Sequence, residues 1–301
     1  MVLKVDVRIP AEGGVELGAW LFLPGMEGRY PAITMAHGFA GTREHGLEPF
    51  ARAFAAAGFV VLVHDHRNFG TSGGELRGDI DPWRQIADWR RAISFLMARA
   101  EVDPARIGLW GTSYAGGHAI VLGATDRRLR CVVAQVPTIS GYEQGLRRVS
   151  PDALPGLERA FDEDEAIQLR GEPPRPQAVV SDDPATPAAY RSRDAIDFYH
   201  AVPGEWDNQI TLRSTRAARM YEPGNWVARV SPTPLLMVVA RDDRLTVADL
   251  SLAAYERALE PKRLALIPGG HFDPYLNQFT LASAAATAWF REHLAGSAAH
   301  P

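Results

Sequence analysis

From Tyr30 onward the chain alternates short apolar runs, rich in valine and isoleucine, with helix-length stretches of mixed polarity. A short run that is apolar throughout belongs to a strand buried on both faces, and helical crossovers between consecutive strands make their sheet parallel. The runs predict strands near 31–36, 59–64, 106–110, 130–136, 233–240 and 263–267, with helices near 45–57, 82–100, 114–125, 247–259 and 276–294. Ahead of them, "VLKVDVRI" and "VELGAWLFLP" flank the turn-rich "PAEGG" and read as a hairpin. The expected class is α/β, a mostly parallel, doubly wound sheet with an antiparallel N-terminal hairpin at its edge.

Residues 140–230 break this rhythm. They hold the acidic run "DEDE" (162–165), the proline-rich "GEPPRPQAVVSDDPATP" (171–187) and a helix-compatible, aromatic-rich stretch up to Tyr221. About 90 residues between two core strands is too long for a plain loop. The expectation is a core made of 1–139 and 231–301, with 140–230 inserted as a mainly helical cap over one end of the sheet. A separate small domain is the alternative.

Composition removes several classes. The 301 residues are 46% hydrophobic and 23% charged, with a net charge of −4, and arginine is scattered among carboxylates instead of massed in one stretch. That leaves no footprint for nucleic acid. The N-terminus has no charged segment leading into an apolar one, and no run nears the roughly 18–20 apolar residues of a membrane span. Cys131, the single cysteine, lies in "LRCVVAQVP" and reads as a buried strand residue; a lone cysteine forms no internal disulfide, so cytoplasmic residence is expected. No G-x-G-x-x-G, P-loop or H-E-x-x-H spacing occurs, and neither a cofactor nor a metal is expected. A homodimer is compatible with this reading, and no sequence feature selects it.

The stretch "LWGTSYAGGHA" (109–119) places Ser113 between an apolar strand and a helix. A nucleophile elbow requires this context: the serine sits on a strained turn, and the residues two before and two after it must be small. Gly111 fits the first place, and Ala115 stands where a second glycine is usual. The helix behind the serine aims free N–H groups and a positive dipole end at the reacting oxygen. Otherwise, Ser113 would simply cap the helix.

A serine needs a base, and the base an orienting acid, in the chain order serine, acid, histidine. "PLLMVVA" is followed by "RDDRLT", and "RLALIP" by "GGHFDPY", so both partners fall just beyond late core strands. His271 is the only histidine between residues 201 and 292. Setting Ala240 in the place of the glycine of G-x-x-D-x-x-x-P selects Asp243, with Val247 in the proline place and Asp242 as the fallback. Asp273 reads as a turn residue.

The oxyanion of such a reaction should be met by the backbone N–H of Tyr114 and, from "MAHGFAGTREHG", by that of Phe39, whose ring would wall the pocket. His37 reads as structural, His64 and His118 as core or helix-face residues, and the turn from Asp65 to Ser72 as a packed one. Phe39, Tyr199, Trp206 and Trp226 are candidate substrate contacts, with Phe198 and Tyr221 beside them and Asn208 and Arg213 as polar candidates.

With these residues in place, the chain resembles the α/β-hydrolase superfamily over nearly its whole length. "GTSYAGGHA" is similar to the elbow of the dienelactone-hydrolase-like and X-Pro-dipeptidyl-peptidase-like branches. "EWDNQITLRS" (205–214) and "YERALEPKRLALIPGGHFDPY" resemble bacterial hydrolases related to fungal polyketide transferases and thiohydrolases. The resemblance implies acyl transfer by Ser113, Asp243 and His271 on a small-molecule ester, thioester or lactone. An acyltransferase with the same triad, an X-Pro-type peptidase and a non-catalytic ligand-binding protein are the other readings.

Overall fold

The computed structural model describes residues 2–25, 28–203 and 206–294. In chain order the core runs β1 (Leu3–Pro10), β2 (Glu16–Leu23), β3 (Tyr30–Ala36), α1 (Leu47–Ala56), β4 (Val60–His64), α2 (Pro82–Met97), β5 (Val102–Thr112), α3 (Tyr114–Thr125) and β6 (Leu129–Gln135). The inserted segment follows with α4 (Gly141–Arg148), α5 (Leu154–Leu169), β7 (Pro176–Val180), β8 (Ala188–Tyr190), α6 (Arg193–His200), β9 (Gln209–Thr211) and α7 (Leu212–Arg219). The core resumes with β10 (Leu235–Ala240), α8 (Ala248–Arg257), β11 (Lys262–Ile267) and α9 (Phe279–Leu294).

Eight strands form one sheet in the order β1-β2-β4-β3-β5-β6-β10-β11. β1 and β2 pair antiparallel from Leu3↔Leu23 to Pro10↔Glu16, and β2 joins β4 antiparallel. Every other pairing is parallel. Period-two alternation then fills both faces. Leu62, Leu109 and Val132 face a cluster with Trp89 of α2 and Ile120 of α3, while Val61, Trp110 and Val133 face Phe50 of α1 and Phe290 of α9. All six core strands and five core helices stand where the apolar rhythm sets them, within a few residues.

Two differences have physical causes. α9 starts at Phe279, later than periodicity predicts, because Asp273–Tyr275 winds as a 3₁₀ turn after His271. The inserted segment, besides its helices, carries a three-stranded sheet ordered β8-β7-β9. Strands of three to five residues are too short to show a period. Among the described residues no helix is long and apolar enough to cross a membrane.

Candidate active site

Parallel strands deliver their following loops to one edge of the sheet, where a crevice opens at the carboxyl ends. Ser113 sits there between β5 and α3 with φ 56° and ψ −118°, backbone geometry that side-chain-bearing residues rarely adopt. The turn is pinned from several sides. Ser113 N–H donates to the Gln135 carbonyl at 2.8 Å, and the Ser113 carbonyl accepts from Gly116 at 3.0 Å and Thr138 at 2.9 Å. Ser113 holds the N-cap position of α3 but makes no side-chain capping bond. Its hydroxyl instead lies 3.0 Å from His271 Nε2.

Small residues at this turn are a steric necessity. A Cβ on Gly111 would come to 2.1 Å from the Ala115 carbonyl oxygen. Ala115, fully buried, fits with its methyl. Gly38, which sequence reasoning did not single out, approaches from the β3 loop, and a Cβ there would lie 2.8 Å from Ser113 Cβ.

His271 Nδ1 donates to Asp243 Oδ2 at 2.8 Å, with both side chains buried. Asp243 Oδ1 accepts from Leu245 N at 2.7 Å and Thr246 N at 3.0 Å, and the Thr246 hydroxyl donates to Oδ2 at 2.7 Å. Burial pushes the Asp243 carboxyl up. The His271 ring, Thr246 and the Leu245 N–H outweigh it and hold the group below its ordinary value. Asp242 points away, half-exposed beside Arg241 at 3.3 Å. The loops are tied to each other, since Arg241 N–H donates to the Ile267 carbonyl and Asp242 N–H to that of Gly269. Asp273 accepts from Gly270 N at 2.7 Å and closes its own turn. Val247 has φ 64°, which no proline can adopt, so the proline place of the expected loop is not reproduced in conformation.

Tyr114 is the first residue of α3, where a helix leaves its N–H groups without intrahelical partners. The Phe39 N–H likewise makes no bond among the described residues. His37 orients that loop: it accepts from His66 N at 3.0 Å through Nε2, so Nδ1 carries the proton and donates to the Gly38 carbonyl at 2.9 Å. His37, His64 and His118 each make a ring contact with His66 in a buried cluster. Desolvation lowers all four, to about 3 for His64 and His118. Asp65 accepts from Arg43 N and Thr71 N inside the turn that follows β4.

Gly38, Phe39, His45, Ser113 and His271 line a space of about 20 Å³, closed by Phe198 and Tyr199 of α6 and by Phe272 and Tyr275. Tyr199 donates to the Phe39 carbonyl at 2.6 Å, and Trp206 Nε1 to that of Ala40 at 3.1 Å. Trp206 stacks on Tyr199 outside this space. Trp226, in the turn helix Pro223–Arg229, packs under Arg229 and lines no part of it. Tyr221 is bound to His118 at 2.9 Å. Asn208 ties β7 through bonds to Val179 and Val180, and Arg213 forms a bidentate pair with Asp79. The structure therefore brings Phe39, Phe198 and Tyr199 to Ser113, and places Tyr221, Trp226, Asn208 and Arg213 elsewhere. Glu205, in the "EWDN" stretch, lies outside the described residues. Among the described residues no three His, Cys, Asp or Glu side chains are placed to hold a metal ion.

The sheet order and the strained strand-to-helix turn at its centre define an α/β hydrolase. Within that class the chain belongs to the family described as X-Pro dipeptidyl-peptidase (S15 family), whose model matches residues 13–273. It is 31% identical to the quorum-quenching protein AidA of Acinetobacter baumannii (strain MDR-ZJ06), over 91% of this chain and 90% of that protein. A thiohydrolase of Eupenicillium brefeldianum is 29% identical over 90% of this chain and 88% of its own length. The crystal structure of the α/β hydrolase GrgF from Penicillium sp. sh18 superposes with a TM-score of 0.85 at 26% identity, covering 98% of this chain and 100% of that one.

Proposed function

We propose that the protein is a serine hydrolase that cleaves a carboxylic ester, thioester or lactone through an acyl-enzyme. The observation that carries this is the relay from Ser113 Oγ to His271 Nε2 at 3.0 Å and from His271 Nδ1 to Asp243 Oδ2 at 2.8 Å. Ser113 Oγ attacks the acyl carbon as His271 Nε2 takes its proton, and Asp243 stabilises the imidazolium. The carbonyl oxygen, now an oxyanion, is met by the N–H groups of Phe39 and Tyr114, where one such donor is worth about 2.7–4 kcal/mol. His271 then gives its proton to the leaving group, and water deacylates the serine by the reverse route. The segment 140–230 acts as the cap: α6 seats Phe198 and Tyr199 over the serine.

An X-Pro-type peptidase must neutralise a substrate ammonium. Among the described residues, no Asp or Glu lines the space at Ser113. That favours a neutral or anionic acyl substrate. Cys131, buried and unpaired, fits a reducing cytoplasm and not a nucleophile, since burial pushes its thiol up. Ser113→Ala should lower p-nitrophenyl ester turnover by about 10⁶-fold with the melting temperature unchanged. Turnover retained by that variant refutes the assignment. Added alcohols or amines test acyl transfer, which requires a new ester or amide among the products.

A further inference from the structure

A second cavity, of about 280 Å³, shares a wall with the space at Ser113: Phe39 lines both, and Tyr114, next to the serine in the chain, lines the larger one. Most of its wall is apolar, with Val149, Ala153, Leu157, Pro187 and Ala189 among the lining residues. Three arginines, Arg148, Arg191 and Arg219, also line it, and among the described residues no Asp or Glu does.

The three arginines differ in what they already hold. Arg191 donates to the carbonyls of Asp183 and Thr186. Arg148 donates to Gln144 Oε1 and the Leu245 carbonyl, each at 3.0 Å, and lies over the Tyr190 ring. Arg219 donates no hydrogen bond among the described residues, although its side chain is only 13% exposed. Its nearest carboxylate oxygen is Glu158 Oε1, 4.0 Å away on a side chain that is 54% exposed. Gln177, in the same wall, uses Oε1 to accept from Thr215 at 2.6 Å, and its amide N–H groups make no bond among the described residues. Gly145 makes room for the guanidinium, since a Cβ there would lie 2.4 Å from Arg219 Nη1. A charge drawn this far from water ordinarily has a partner, and a guanidinium fork matches a carboxylate in two hydrogen bonds. The cavity thus offers an apolar length with donors and no acidic side chain.

From this we infer that the acyl group of the substrate carries a carboxylate remote from the scissile carbonyl, held by Arg219 with Gln177 in the same wall. The inference rests on the acyl-hydrolase reading above and names the substrate class of that site. The acyl chain fills the apolar part of the larger cavity while its carbonyl carbon meets Ser113 on the other side of Phe39.

The test compares mono-p-nitrophenyl suberate with p-nitrophenyl octanoate, esters of equal acyl length that differ in the distal carboxylate. The wild-type enzyme should favour the suberate in kcat/KM by at least tenfold. Arg219→Gln should lower that ratio at least tenfold, chiefly through KM, and Arg219→Lys should fall between. A ratio that Arg219→Gln does not change overturns the inference. So does a preference for 4-carboxyphenyl octanoate that depends on Arg219, because the charge would then sit on the leaving group. If neither ester is turned over, the hydrolase reading has failed and binding still decides this one. Monomethyl suberate titrated calorimetrically into the Ser113→Ala protein should bind at least tenfold more weakly once Arg219→Gln is added, and equal binding refutes the site. Should the Gln variant melt early, Arg219→Lys is judged by the same ratio and binding measurements.

Discussion

α3 and α5 show two ways of holding a helix. α3 has 12 residues and buries eleven of them, locked between the sheet and the turn helix Pro223–Arg229. α5 has 16 residues and buries only Phe161 and Asp164. What anchors α5 is largely polar. Asp164 Oδ1 accepts from Arg175 N at 2.6 Å, Glu163 pairs with Arg175, and Glu165 pairs with Arg216. Exposed pairs of this kind are worth about 0–1 kcal/mol each. α3, which positions Ser113, is therefore held by burial, while α5 is held by contacts that cost little to rearrange. Elsewhere the segment is tied to the core more firmly: Tyr199 bonds to Phe39, Trp206 to Ala40 and Arg213 to Asp79, and Val179, Val180, Tyr199 and Ile210 join the apolar cluster under the sheet.

Substitutions in the core should act on chemistry, and the largest effect is expected there. Asp243→Asn removes the group that fixes the His271 tautomer and should lower kcat by about 10⁴-fold with the melting temperature little changed. If instead it unfolds the protein, the buried carboxylate serves the fold first.

Acid should reverse the contrast and attack the core before the inserted segment. His45, His64 and His118 are held neutral in the folded state down to about pH 3, chiefly by burial. The unfolded chain takes up these protons from about pH 6.5 downward. Folding stability is thus complete above that pH and falls as pH drops, with a slope approaching about 1.4 kcal/mol per pH unit for each histidine. Asp243 adds to the loss only once pH passes below its unfolded value, because its folded carboxyl is held lower. Denaturant titrations at pH 7.5, 6 and 5 read this directly, and a flat stability across them contradicts it.

Gly38→Ala should cost about 10²–10³ in kcat, because the added methyl must displace the Ser113 turn and the neighbouring Phe39 N–H. Comparison with Gly156→Ala, in exposed α5 with no close neighbour but a side-chain tip, sharpens the contrast: activity there should stay within twofold. Within the inserted sheet the expected effect is on stability and not on chemistry. Asn208→Ala removes three hydrogen bonds around β7 and should cost about 1–3 kcal/mol. Limited proteolysis should then cut within 140–230 while the core fragments stay intact. Cleavage starting in the core would overturn the division drawn here.

The same contrast governs what could be read in advance. The core strands are buried on both faces, so their apolar runs are conspicuous, and the loops after β5, β10 and β11 follow from strand order alone. β7, β8 and β9 are short and half-polar, so "QAVV" was the sole trace of their sheet. Aromatic residues in the inserted segment were candidates on composition, and packing separated them: Phe198 and Tyr199 face Ser113, whereas Trp226 packs on Arg229. Gly38 and Thr246 carried no signal, since their importance lies in contacts across 75 residues and in a loop bent by a positive φ at Val247.

Hydrophobic periodicity and chain order by themselves determined the parallel sheet, the strand-to-helix turn at Ser113 and the placing of Asp243 and His271 beyond late strands, because these are local patterns repeated along the chain. Tertiary structure alone decided that α6 roofs the serine, and that Arg219, with only the exposed Glu158 at 4.0 Å for a carboxylate, lines an apolar cavity. Each of these depends on which side chains a packed neighbour shields from water, and shielding is a property of residues brought together from distant parts of the chain.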